Sequence, residues 1–121
     1  MKLLLIDDDA FLRDMYAIKF TESGYEVDVA DGAVSALVKI EKTQDYEVIL
    51  LDMIMPGMSG VELIKAISKR FPNLGAKFIV LSNQGQAEDI SEAKSAGAVG
   101  YIIKAESVPS DVVKKVEKLS K

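Results

Sequence analysis

The chain has 121 residues, of which 28% are charged, with a formal net charge of −4 and neither cysteine nor histidine. This length suits one domain, predicted over residues 1–121, that buries about two-thirds of the surface of its unfolded chain. The composition excludes disulfides, thiolate nucleophiles and imidazole ligands, and we see neither the basic face of a nucleic-acid-binding protein nor an apolar run near the ~18 residues of a membrane span.

Short apolar runs alternate with longer amphipathic segments five times along the chain. Each short run predicts a strand, and the five strands are predicted at residues 2–6, 26–29, 47–51, 77–81 and 99–102. The first, third and fourth runs are almost continuously apolar, which is typical of strands that are covered on both faces of a parallel sheet. The segments after these strands predict five helices.

The first helix is predicted to begin after Asp9, which we expect to cap its N-terminus, and to end before Gly24. Its apolar residues form one stripe and a second row beside it: Phe11, Met15 and Ile18, then Leu12, Tyr16 and Phe20. The fourth helix, near residues 86–96, has a thin and mostly alanine face. Such a face buries little area, so we expect this helix to be the least firmly docked.

Regular alternation of strands and helices requires parallel strands joined by right-handed crossovers. We therefore predict an α/β fold with a doubly wound, five-stranded parallel sheet in the order 2-1-3-4-5, a flavodoxin-like architecture of three layers. In this order the carboxyl ends of the strands share one edge. Five polar side chains that follow strands are expected there: Asp7, Asp8, Asp52, Ser82 and Lys104.

Carboxylates that crowd together repel one another, and a divalent cation relieves that repulsion. Mg²⁺ prefers about six oxygen ligands, and Asp52 could then attack a phosphoryl group polarised by the metal. Lys104 could neutralise the phosphoryl oxygens, and Ser82 could donate a hydrogen bond to one of them. Each residue alone has an ordinary explanation as a cap, a turn residue or a solvated strand end. The hypothesis of a metal-assisted phosphoryl-accepting site therefore rests on the joint pattern.

The whole chain resembles the receiver domains of bacterial response regulators, in size especially the single-domain chemotaxis type. The matching segments, in the order and spacing of the family, are LLLIDDD, VILLDMIMPGMSGVELI, FIVLSNQG and AVGYIIKA. The second segment is the most specific, because an aspartate that ends an aliphatic strand and is followed by MPGM and, one residue later, Gly60 is seldom found elsewhere. The resemblance implies a protein of two-component signal transduction, in the cytoplasm and away from membranes and nucleic acid.

The resemblance also implies roles for individual residues. Asp52 would accept a phosphoryl group from a histidine kinase or a histidine phosphotransfer protein, and Lys104 would pair with that group. Mg²⁺ would be held by Asp8, Asp52 and the backbone carbonyl of Ile54, with Asp7 acting mainly through water. We expect a phosphoacceptor and not an enzyme, with any phosphatase activity confined to its own phosphoaspartate.

Ser82 and Tyr101 would form the switch pair of such a domain. Ser82 would move toward the phosphoryl oxygens, and Tyr101 would turn inward behind it. The face formed by the fourth helix, the fifth strand and the fifth helix would then control an output protein or domain. Homodimerisation on phosphorylation is common in similar proteins.

Three features depart from the family pattern. Ala105 follows Lys104 where the family usually has a proline after a cis peptide bond, so the geometry of this peptide is open. Asn83 replaces a small residue and could restrict access to the site. Ile54 is apolar and cannot orient an attacking water, although Gln84 could, so we expect a long-lived phosphoaspartate.

Two alternatives to the interpretation as a receiver domain remain. A haloacid-dehalogenase-type phosphatase also uses an aspartate and Mg²⁺, but it needs a second aspartate where this chain has Ile54, and a cap domain for which 121 residues leave no room. A pseudo-receiver would keep the fold and act as a phosphorylation-independent binding module. The complete set of polar residues predicted at the sheet edge argues against the pseudo-receiver, whereas Ala105 and Asn83 keep it open.

Overall fold

The computed structural model describes residues 1–121 as five strands and five α-helices in strict alternation. The strands are β1 (Lys2–Ile6), β2 (Glu26–Ala30), β3 (Val48–Leu51), β4 (Lys77–Ser82) and β5 (Ala98–Ile103). The helices are α1 (Ala10–Glu22), α2 (Ala33–Lys42), α3 (Gly60–Arg70), α4 (Ala87–Ala96) and α5 (Pro109–Leu119), and a 3₁₀ turn spans Lys104–Glu106.

All neighbouring strands are parallel, and their order is β2-β1-β3-β4-β5. This confirms the predicted fold class and strand order. The apolar runs located the strands well because both faces of the sheet are covered, so the apolar residues of β1 and β3 have almost no access to solvent. None of the helices combines the length and the apolarity that a membrane crossing requires.

Two apolar layers lie on opposite faces of the sheet. One contains the inner faces of α2, α3 and α4, together with residues such as Leu4 and Ile6 of β1. The other contains α1 and α5, together with Leu3 and Leu5 of the same strand. Because successive strand residues point to opposite faces, this division also decides on which side the polar residues after each strand emerge.

The predicted apolar stripe of α1 is wrong in part. Phe11 and Ile18 are exposed, whereas Tyr16 and Phe20 of the second row are buried, with Leu12 packed beside them. Apolar residues surround much of this helix, so their spacing alone does not select the buried face. In α4 only Ala93 is buried, as its thin alanine face led us to expect.

The ends of α1 follow the predicted capping chemistry. The side chain of Asp9 accepts a hydrogen bond from the backbone N–H of Leu12, and this bond fixes where the helix begins. After the helix, Gly24 adopts a φ of 95°, a left-handed conformation that strongly favours glycine. The N-terminus of α1 is thereby placed beside the carboxyl end of β1, at the edge where the polar residues converge.

Candidate functional site

The backbone carries Asp7 and Asp52 to adjacent positions at the carboxyl edge of the sheet. Ile6 and Leu51 are paired in the β1–β3 register, so the two aspartates follow paired residues. The N–H of Asp7 donates to the carbonyl of Ala30 at 3.1 Å, and the N–H of Asp52 donates to the carbonyl of Ile6 at 3.3 Å. These bonds continue the sheet by one residue and hold both aspartates in place.

Lys104, which directly follows β5, contacts both carboxylates. Its ammonium lies 2.8 Å from Oδ2 of Asp7 and 2.8 Å from Oδ2 of Asp52. The side chain of Lys104 is 7% exposed, against 2% for Asp7 and 14% for Asp52. Charge-assisted bonds of this length in a partly desolvated place are strong, so the three side chains form one ionic cluster.

The protonation of Lys104 follows from two opposing effects. Burial lowers the pKa of its ammonium, but the hydrogen bonds to Asp52 and Asp7, and then their negative charges, outweigh burial and raise the pKa above its ordinary value of 10.5. The ammonium is therefore charged at neutral pH. One positive charge faces the two carboxylates it contacts and the nearby carboxylate of Asp8, which leaves an excess of negative charge.

Backbone groups orient the remaining carboxylate oxygens. Oδ1 of Asp7 accepts the N–H of Asp9 at 3.0 Å, and Oδ1 of Asp52 accepts the N–H of Ile54 at 3.2 Å. Arg13 donates to the backbone carbonyl of Asp7 at 3.0 Å and so ties the first turns of α1 to the site. The carboxylates are thus held by both the sheet and the adjacent loops.

The acidic residues are close enough to share a cation. One carboxylate oxygen from each of Asp7, Asp8 and Asp52 lies within 4.8 Å of the other two. Asp8 is exposed, and no backbone N–H donates to the carbonyl oxygen of Ile54, so both could supply further oxygen ligands. A donor set made only of oxygens suits a hard divalent cation, so these residues could hold such a metal.

Ser82 and Tyr101 meet at the loop between β4 and α4 rather than at the ionic cluster. The Oγ of the buried Ser82 accepts the N–H of Gln84 at 3.3 Å, and the Tyr101 hydroxyl donates to the carbonyl of Gln84. Burial raises the pKa of the Tyr101 hydroxyl, which keeps it protonated as a donor. The two predicted switch residues therefore both bind the backbone of Gln84. Both belong to the side of the sheet that α4 covers.

The departures at Ala105 and Asn83 leave this geometry intact. The chain contains no cis peptide bond, so the Lys104–Ala105 peptide is trans, and Lys104 still reaches both carboxylates. Asn83 is exposed to solvent. The 3₁₀ turn that begins at Lys104 provides the change of direction after β5 without a proline.

The sequence reasoning assigned no structural role to two supporting residues, Arg13 and Gly60, although Gly60 belongs to the quoted motif. Arg13 carries a signal only in its spacing of six residues from Asp7, which is not distinctive. Gly60 begins α3 directly against the backbone that follows β3: a Cβ there would lie 2.4 Å from the carbonyl oxygen of Asp52 and 2.9 Å from the Cα of Met53. A glycine after Ser59, the N-cap of α3, was the available sign of this close approach.

Known proteins share both the sequence and the fold. The sequence profile of the response regulator receiver domain family matches residues 3–117. The chemotaxis protein CheY of Thermotoga maritima is 39% identical over 122 residues, which cover 99% of this chain and 98% of that protein. The two-component response regulator PhoP of Pseudomonas aeruginosa is 33% identical over 107 residues, or 86% of this chain and 45% of PhoP.

Solved structures agree with these matches. The chemotaxis protein CheY4 of Vibrio cholerae superimposes with a TM-score of 0.89 at 30% identity, over 98% of this chain and 97% of that one. A CheY-like receiver domain protein of Methanospirillum hungatei gives a TM-score of 0.85 at 34% identity, over 98% and 92% of the two chains. Because the family profile, a full-length relative and the superimposed structures all match, this chain belongs to the response regulator receiver domain family and is of the CheY-like type.

Proposed function

We propose that the protein accepts a phosphoryl group on Asp52 and thereby controls a partner in two-component signalling. The observation that carries this proposal is the unequal burial of the two carboxylates that share Lys104. Asp7 is closed off from solvent at 2% exposure, whereas Asp52 is 14% exposed and lies at the mouth of the site. Of the two carboxylates that Lys104 contacts, Asp52 is therefore the one that a phosphodonor can reach.

Mg²⁺ fits the donor set better than a softer metal, since every available ligand is an oxygen. We assign its binding to Asp7, Asp8, Asp52 and the carbonyl of Ile54, which agrees with the acidic group and the free carbonyl described above. When bound, the metal supplies charge neutralisation that lets an anionic donor approach an acidic pocket.

The chain's own residues have separable tasks in the transfer. An oxygen of Asp52 forms a bond to phosphorus while the bond between phosphorus and the histidine nitrogen of the donor breaks. Lys104 already contacts Asp52, so its ammonium is placed to balance the charge on the phosphoryl oxygens. Asp7 accepts a second hydrogen bond from that ammonium and so helps to fix its position.

The connection to an output is proposed to run through the β4–α4 loop. Ser82 and Tyr101 both bind Gln84 in this loop, so a movement of Ser82 toward the phosphoryl group would alter the support of Tyr101 and of α4. Ala93 is the only buried residue of α4, and such thin packing suits an element that moves. The face of α4, β5 and α5 is then the surface that an output protein or domain reads.

The partners and setting belong to the same proposal. A histidine kinase or histidine phosphotransfer protein would supply the phosphoryl group, the protein would act in the cytoplasm, and phosphorylation would promote homodimerisation through the output face. The protein would not act as an enzyme on other molecules, and hydrolysis would be limited to its own phosphoaspartate. CheY and PhoP relatives support this setting because they are chemotaxis and two-component regulators by name.

The test is the intact mass after incubation with acetyl phosphate and Mg²⁺. Wild type should gain one phosphoryl group, which chelation of Mg²⁺ prevents, and Asp52→Ala should gain none. Asp45→Ala, which removes an exposed carboxylate at the opposite edge of the sheet, should behave as wild type. Absence of any adduct would favour the pseudo-receiver, and an adduct on Asp52→Ala would move the acceptor to another residue.

A further inference from the structure

A buried tyrosine of α1 lies in the layer below the ionic cluster. Tyr16 is 3% exposed and belongs to the apolar cluster that α1 and α5 form against the sheet. The same cluster contains Leu5 of β1, Leu50 of β3 and Ile102 of β5. A phenol is a large and rigid side chain, so it limits the freedom of whatever packs above it.

These three strand residues connect Tyr16 to the site. Each lies two positions before one of the charged residues: Leu5 before Asp7, Leu50 before Asp52, and Ile102 before Lys104. Residues two apart in a strand share a face of the sheet. The charged side chains therefore leave the sheet on the side that α1 covers, which agrees with their mutual contacts.

The direction of α1 brings the phenol closer still. The helix begins at Ala10, next to the site, and side chains in an α-helix lean toward its N-terminus. The Tyr16 ring therefore leans toward the ionic cluster. Burial raises the pKa of its hydroxyl, the Lys104 charge opposes this, and the charges of Asp7 and Asp52 add to it, so all three lie within electrostatic range of the phenol.

We propose that Tyr16 is a positioning residue whose ring closes the buried side of the pocket and holds the Lys104 ammonium between Asp7 and Asp52. A smaller side chain would leave space into which the flexible stem of Lys104 relaxes. The ring supplies this restraint, so the hydroxyl is dispensable. The consequence for phosphorylation rests on the proposed role of Asp52, whereas the placement of Lys104 does not.

The placement is tested by ¹⁵N NMR of the lysine ammonium groups, with the Lys104 signal assigned through Lys104→Arg. An ammonium held by two short hydrogen bonds and shielded from water exchanges slowly and gives a resolved signal. Tyr16→Phe should keep this signal and Tyr16→Leu should lose or broaden it. If Tyr16→Leu does not fold, Tyr16→Met, whose unbranched and flexible side chain adapts more readily to the buried space, takes its place with the same expectation.

Tyr25→Leu is the matched control. Tyr25 belongs to the same cluster and packs edge-on against Phe20, with ring centroids 5.2 Å apart, but it precedes β2 at the opposite edge of the sheet. This variant loses a buried ring without disturbing the site, so it should keep the Lys104 signal. A retained signal in Tyr16→Leu, or an equal loss in Tyr25→Leu, would overturn the positioning role.

The rate of phosphorylation by acetyl phosphate with Mg²⁺ gives the second readout. Displacement of a charged group by about 1 Å costs tenfold or more in rate, so Tyr16→Leu should be slower than wild type by at least that factor, while Tyr16→Phe and Tyr25→Leu stay close to wild type. If wild type accepts no phosphoryl group, the proposed function fails and the NMR result still decides the role of Tyr16. A normal rate in a folded Tyr16→Leu protein would refute the positioning role.

Discussion

Replacement of Lys104 by methionine tests whether the ionic cluster holds the carboxyl edge together. The change removes the ammonium that Asp7 and Asp52 both contact at 2.8 Å and keeps most of the side-chain volume. Asp7, at 2% exposure, is left as a buried charge without its partner, beside a second carboxylate. Breaking a buried pair in this way costs about 3–5 kcal/mol, much of the ~5–15 kcal/mol that stabilises a domain.

The assay is urea unfolding at neutral pH without and with Mg²⁺. With a slope of ~1–3 kcal/mol per molar urea, the midpoint of Lys104→Met should fall by at least about 1 M. Mg²⁺ should stabilise the variant more than wild type, because the metal replaces the missing positive charge. Lys19→Met, which breaks only an exposed pair with Glu22, is the control and should leave the midpoint nearly unchanged.

A second substitution separates the lost attraction from the stranded charge. Asp7→Asn removes the charge and keeps an oxygen for the N–H of Asp9. Combined with Lys104→Met it should recover roughly 1 kcal/mol or more of the lost stability. A loss below about 1 kcal/mol in Lys104→Met, or a double variant no more stable than the single one, would refute the account of Asp7 as a dependent buried charge.

Three further predictions concern Gly60, Ile54 and the dependence of stability on pH. Gly60→Ala places a Cβ 2.4 Å from the carbonyl oxygen of Asp52, so it should lower the free energy of unfolding in urea by about 1–3 kcal/mol and should slow phosphorylation. Gly75→Ala is the control: a Cβ there meets nothing within 4 Å, so the phosphorylation rate should stay unchanged. Ile54→Asn, beside the Asp52 carboxylate, should shorten the lifetime of the phosphoaspartate measured by mass spectrometry, and an unchanged lifetime would show that Ile54 does not protect it. The pKa of Lys104 is raised in the folded protein, so its charge adds stability that is complete below pH 10.5 and is lost as the pH rises through the higher folded pKa. The free energy of unfolding should therefore fall more steeply with rising alkaline pH in wild type than in Lys104→Met. Equal slopes of this free energy against pH would contradict the prediction.

The fold was predictable because local signals agreed with the global arrangement. Buried strands such as Val48–Leu51 are apolar throughout, and Gly24 marks the end of α1 by its left-handed backbone. Once the strand order is known, the carboxyl ends of β1, β3 and β5 must lie along one edge of the sheet, which is why Lys104 could be expected near Asp7 and Asp52 although both are distant in sequence. Topology supplied the long-range contact that no local pattern contains.

The orientation of α1 was not predictable in the same way. Its apolar residues leave no polar half to identify the solvent side, so Phe11 was assigned to the stripe although it is exposed. The roles of Tyr16 and Arg13 depend on this orientation and on how closely the helix approaches the sheet. Such distances follow from side-chain packing across layers, which a one-dimensional pattern does not record.

The ionic cluster and the β4–α4 loop are built on opposite faces of the sheet, and this separation constrains how a signal could pass between them. Lys104 and the two carboxylates follow strand residues of the α1 and α5 layer, while Ser82 and Tyr101 follow the layer of α2, α3 and α4. A phosphoryl group on Asp52 would therefore influence the β4–α4 loop through a contact that passes from one face of the sheet to the other at this edge. Ser82 ends β4 next to β3 and binds the loop that also holds Tyr101, so its hydroxyl is the group best placed to make that crossing.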